Sequence, residues 1–193
     1  QPDTGRIEGV QNEGAAIEQT SDGGYIISGY ALSSNTGTLT GFINNGGKDV
    51  WILKLNSSGI TQWQQLYGGT ADDFASDVLE DPDGAILVAS TSYSSDSGTL
   101  LGAFSYGGAD YWVLRLASNG QIIWHRLLGG DMDDVCNTAV RRCGRYALLG
   151  TSNSSDTGIL TGYYSNGLTD AWLISMDDAG TIMWEALLGS IMK

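Results

Sequence analysis

The chain writes one phrase three times. "DVWILKLNSSGITQWQQLYGG" starts at Asp49, "DYWVLRLASNGQIIWHRLLGG" at Asp110 and "DAWLISMDDAGTIMWEALLGS" at Asp170. Trp51, Trp112 and Trp172 stand 61 and 60 residues apart, and Trp63, Trp124 and Trp184 keep the same intervals, so all 6 tryptophans of the 193-residue chain fall in two columns. Other columns agree: Gly37, Gly98 and Gly158; Leu39, Leu100 and Leu160; Gly41, Gly102 and Gly162; Gly59, Gly120 and Gly180. A period of this length held at so many positions marks an array of one supersecondary unit. The units cover about 10–69, 70–130 and 131–190 within a single repeat domain of residues 1–193.

Each unit reads as four short strands. In the first, Ala15 to Gln19 and Tyr25 to Ala31 flank the turn signal "TSDGG", and Val50 to Leu55 and Ile60 to Tyr67 flank "NSSG". Two hairpins result, joined by a long loop. A content of 28 Gly against 2 Pro suits a turn-dense all-β chain. The third strand, "VWILKL", "YWVLRL" or "AWLISM", is apolar at nearly consecutive positions, so both its faces must meet protein.

Four antiparallel strands covered on both sides describe a propeller blade. The expectation is therefore an all-β fold of three four-stranded antiparallel propeller-like blades. Closed propellers have roughly four to eight blades, so a second chain is expected to complete a six-bladed ring. A β-trefoil-like three-fold fold is the alternative.

"TSDGGYIISGYALSSN" followed by "GGKDVWILKLNSSGITQWQQLYGGTADD" resembles propeller-type repeats found in large secreted and surface proteins of bacteria and archaea. The resemblance runs from about Gly14 to Gly189. The G-x-x-x-W element is also similar to the tryptophan-docking repeat of quinoprotein propellers, without a quinone-ligand pattern beside it. What the resemblance implies is a scaffold, extracellular or on the cell surface, with no cofactor and no defined activity.

The 22 acidic and 9 basic residues leave a net charge of −13, which repels phosphate backbones and excludes nucleic acid as a partner. No apolar run approaches the roughly 20 residues of a spanning helix, so membrane insertion is not expected. Cys136 falls inside a strand and Cys143 in the turn after it, too far apart for a disulfide. Two free thiols point to a reducing compartment, against the resemblance, and the localisation stays open.

Candidate sites are weighed column by column. The acidic loops around Asp72, Asp73, Asp131, Asp133 and Asp134 carry oxygen ligands but no calcium-loop spacing, so turn capping is expected and no metal site. Asp49, Asp110 and Asp170 precede the third strand in every unit and are expected to fix its turn through backbone N–H groups rather than to act as rim carboxylates of a hydrolase. His125, the 1 histidine, has Gln64 and Glu185 as counterparts. That reads as a solvent-facing column and leaves no catalytic base. Trp51, Trp63, Trp112, Trp124, Trp172 and Trp184 are expected as structural packing, the second column as wedges between blades.

Two features depart from the repeat. The turn "RRCGR" gathers Arg141, Arg142 and Arg145 and is expected to meet an acidic turn of a second copy, the alternative being a neighbouring-blade salt bridge or a plain exposed turn. The long loops vary in their aromatics, Phe42, then Phe104 and Tyr106, then Tyr163 and Tyr164, which suits a binding surface and equally a hydrophobic plug over the blade edge. The functional expectation is a non-enzymatic scaffold for protein binding or self-assembly, a homodimer above all. The alternative is a carbohydrate-binding module using the loop aromatics, with a glycan as partner.

Overall fold

The computed structural model describes residues 12–35, 37–164 and 169–189. Twelve strands form three four-stranded antiparallel sheets, one per repeat. The first holds β1 (Asn12–Gln19), β2 (Tyr25–Ala31), β3 (Asp49–Leu55) and β4 (Thr61–Tyr67) in that order. The second holds β5 (Asp73–Glu80), β6 (Ile86–Ser92), β7 (Asp110–Leu116) and β8 (Ile122–Leu128), and the third β9 (Asp134–Arg142), β10 (Arg145–Ser152), β11 (Asp170–Asp177) and β12 (Ile182–Leu188). No sheet borrows a strand from another repeat, so the trefoil alternative gives way to separate blades. Among the described residues no helix is long and apolar enough to cross a membrane.

Local chemistry sets each blade. The β3–β4 turn closes with Asn56 Oδ1 accepting from the N–H groups of Ser58 and Ile60, both at 2.9 Å. Its last corner is Gly59 at φ 75°, matched by Gly120 at 85° and Gly180 at 77°, a conformation that side-chain-bearing residues adopt at a cost. The innermost strand of each blade carries a bulge, at Ala15, Ser76 and Asn137, and the outermost another, at Gln62, Ile123 and Met183. Such bulges increase strand twist, and here they recur at the same repeat positions.

Strand β5 lies against both β1 and β9, so the first strands are innermost and the fourth strands outermost. The core is two clusters, each between neighbouring blades. One joins Ile26, Val50 and Ile52 to Val78, Val88 and Trp112, and the other joins Leu87, Ala89 and Val113 to Leu148, Trp172 and Ile174. Blades thus supply each other's core.

The long loops share one form. Each makes a short 3-10 turn, Gly37–Leu39, Gly98–Leu100 and Gly158–Leu160, whose leucine is fully buried. Asn35, Asp96 and Asp156 hold positive φ and accept from the N–H of Gly41, Gly102 and Gly162 at 2.8, 2.8 and 2.7 Å. A short polar side chain is what the left-handed region tolerates best after glycine.

Candidate interaction surfaces

The outer tryptophans are wedges. Trp63 in β4 donates its indole N–H to the Ser118 carbonyl of the next blade at 2.9 Å, and Trp124 in β8 donates to the Asp178 carbonyl at 3.0 Å. Each indole packs against a glycine: a Cβ on Gly120 would stand 3.1 Å from Trp63, and one on Gly180 3.2 Å from Trp124. Trp184 has no blade after it among the described residues and is exposed. At the opposite end, a Cβ on Gly59 would meet nothing within 4 Å.

The inner tryptophans face the preceding blade. Trp112 and Trp172 are fully buried, whereas Trp51, with no described blade before it, is half-buried. Here the reading of His125 as solvent-facing is corrected. Trp51 Nε1 donates to Gln64 Oε1 at 3.0 Å and Trp112 Nε1 to His125 Nδ1 at 3.3 Å, each across a strand pair. Glu185 takes the same place beside Trp172, where burial pushes its carboxyl up and the indole N–H pulls it down. In the first two blades the column accepts the indole hydrogen bond, which amide and imidazole both can do, while Trp172 Nε1 and Glu185 Oε2 have no hydrogen-bond partner among the described residues. Burial, then the nearby Arg126, lowers the His125 pKa and keeps the imidazole neutral for that role.

The aspartates before the third strands sit inside the molecule. Asp49 Oδ2 accepts from Asn45 N–H at 2.8 Å and Asp110 Oδ2 from Tyr106 N–H at 2.9 Å. Residue 166, which corresponds to these donors in the third blade, lies outside the described residues. Asp49, Asp110 and Asp170 are buried. Asp49 and Asp73 flank Gly68, where a Cβ would stand 2.2 and 2.9 Å from their oxygens, and Asp110 and Asp134 flank Gly129 in the same way. Burial, with the neighbouring carboxylate adding to it, pushes Asp49 and Asp110 each up to about 6. The outer acids of these loops also work structurally: Asp72 accepts from Lys48 N–H and Asp133 from Ala109 N–H, each in the preceding repeat.

The arginine cluster divides. Arg141 is engaged within the chain, Nε 2.9 Å from Asp81 of the second blade and Nη2 3.0 Å from Asp178 of the third. Asp81 is fully buried and also meets Arg115 and the Tyr146 hydroxyl, a network that the spacing of charges in the sequence did not disclose. Arg142 and Arg145 are exposed on the β9–β10 turn.

The loop aromatics divide as well. Phe42 and Tyr163 turn inward and are half-buried, the Tyr163 hydroxyl donating to the Glu185 carbonyl at 3.0 Å. Phe104, Tyr106 and Tyr164 point out to solvent. Cys136 is buried and Cys143 exposed, both free. On the side of the hairpin turns, Asp22, Lys54, Gln62, Trp63, Glu80 and Asn119 help line a groove of about 400 Å³ between the first two blades.

No protein-family model matches the chain, and no curated protein matches it.

Proposed function

We propose that this chain is a non-enzymatic β-propeller-like scaffold whose work is binding protein, first of all further copies of itself. The observation that carries this reading is the exposure of columns that neighbouring blades bury. Ile17 is 63% exposed while its counterparts Val78 and Ala139 are 1% and 3%. Leu188 is 54% exposed while Tyr67 and Leu128 are 5% and 4%. Apolar surface of this kind, rimmed by polar turns, is the signature of an interface. The two end faces continue, face-on, a stack in which each blade covers the next.

Sedimentation of the whole chain over a wide concentration range tests the reading. An assembly of more than one chain is expected, and a single chain at every concentration contradicts it. Arg142 and Arg145 lie on a turn at the third blade's end and offer positive charge to an acidic copy. Reversing both to Glu weakens the assembly if that turn takes part.

A second reading has its own observation. Phe104, Tyr106 and Tyr164 are exposed on loops held by capped turns, and exposed aromatic rings are surfaces on which sugar rings stack. Screening a glycan panel with the chain and with a Phe104→Ala, Tyr106→Ala, Tyr164→Ala variant tests it. Binding lost in the variant supports a carbohydrate-binding module, and no binding across the panel removes it.

A further inference from the structure

The end faces differ from each other, and each lacks what the other supplies. Twice within the chain a tryptophan packs over a glycine of the following blade and donates to the carbonyl two residues before that glycine: Trp63 with Gly120 and Ser118, Trp124 with Gly180 and Asp178. Trp184 is the third member of the wedge column and stands 47% exposed. Gly59 is the third member of the socket column, at φ 75° like the others and with open space where they hold an indole. Two residues before it stands Ser57.

We infer that Trp184 of one copy packs on the Gly59 turn of a second copy, its indole N–H donating to the Ser57 carbonyl, so that two copies mate head to tail. This rests on the self-assembly reading and adds to it the orientation, the residues and the number of copies. Each copy offers one wedge and one socket, so two copies satisfy each other completely. Six is also the one multiple of three within the roughly four to eight blades that closed propellers use.

Two further columns agree. At the inner junctions Asp73 stands beside Asp49 and Asp134 beside Asp110, acid against acid. Their counterpart in the first blade is Asn12. Head-to-tail mating brings the Asn12 amide, a donor, beside the buried Asp170 carboxylate. It also lays Leu188 over the face that carries Ile17. A face-to-face pairing of third blades does neither: it sets Asp170 near Asp170 and leaves Gly59 empty.

Native mass spectrometry of the wild type, Trp184→Ala, Gly59→Asn and their equimolar mixture tests the inference. Asparagine accepts positive φ more readily than other side-chain-bearing residues and fills the socket. Each variant alone is expected to raise the dissociation constant at least about thirty-fold, the effect of truncating a central aromatic anchor. The mixture is expected to recover heterodimers, because one junction then pairs an intact Trp184 with an intact Gly59. If Gly59→Asn stays dimeric while Trp184→Ala does not, the head-to-tail orientation falls and self-assembly stands. Assemblies of three or more chains overturn the closed pair, and a wild type that is always one chain overturns both readings. Dilution of the wild type gives a further check: indole emission shifts to the red as Trp184 and Trp51 return to water, the Trp184 share being the part lost in Trp184→Ala, and an unchanged spectrum through dissociation contradicts the docking.

Discussion

Trp63 and Trp124 are held by glycines, and the reason is geometric: an indole can pack closely against backbone only where no Cβ intervenes. Gly120 also carries φ 85°, so Gly120→Ala brings both backbone strain and a clash with Trp63. Its cost is expected at about 1–2 kcal/mol in urea unfolding. Trp124→Ala opens a gap at the same kind of junction and is expected to cost about 3 kcal/mol. Asp81 anchors Arg115, Arg141 and Tyr146 from a fully buried position. Asp81→Ala strands two cations and is expected to cost about 3–5 kcal/mol.

The buried aspartates set the response to acid. Asp49 and Asp110 titrate near 6 in the folded chain against 3.8 in the open chain, chiefly because burial disfavours their charge. The folded state therefore holds their protons more tightly, and stability is lost as the pH rises through about 6. Asp22 is shifted the other way by Lys54, and its contribution is lost as the pH falls below the usual carboxylate range. Thermal melts are expected to rise from pH 7.5 to pH 5 and to fall again below about pH 4. Asp110→Asn flattens the upper limb, and an unchanged limb contradicts the assignment.

At the scale of the blade, the strands were legible because repeat, turn and apolar pattern coincide. The third strand's unbroken apolar run announced two covered faces; β7, between two blades, has them, whereas β3 and β11 each keep one face half-buried at the open ends. The strand ends differ by one to three residues: β1 starts at Asn12 rather than Ala15, where the Asn12 side chain accepts from Ser33 N–H and extends the pairing. The roles of His125 and Arg141 were not legible. Their partners, Trp112 across a strand pair and Asp81 on another blade, are 13 and 60 residues away, and local spacing says nothing of such encounters. The loop leucines were visible as a column, but not as plugs. Leu100 belongs to the core between the first two blades, so Leu100→Ala is expected to cost about 2–5 kcal/mol, read from chemical unfolding.

At the scale of the whole molecule, the three blades make two cores and leave two outer faces among the described residues. The sequence showed the shortfall in number, since three is below the usual count. It did not show the polarity of the stack, which depends on which way Trp63 and Trp124 lean. Charge opposes association, because each copy carries −13. Screening should therefore help: raising salt from about 20 to 500 mM is expected to tighten the assembly, measured as a falling dissociation constant.

Small-angle X-ray scattering of the unmodified chain tests the central claim most directly, since it reports mass and shape together. The account predicts the forward scattering of two chains and the profile of a flat, closed six-bladed disc. Forward scattering of a single chain with an open three-bladed profile, unchanged across a hundred-fold range of concentration, would contradict it.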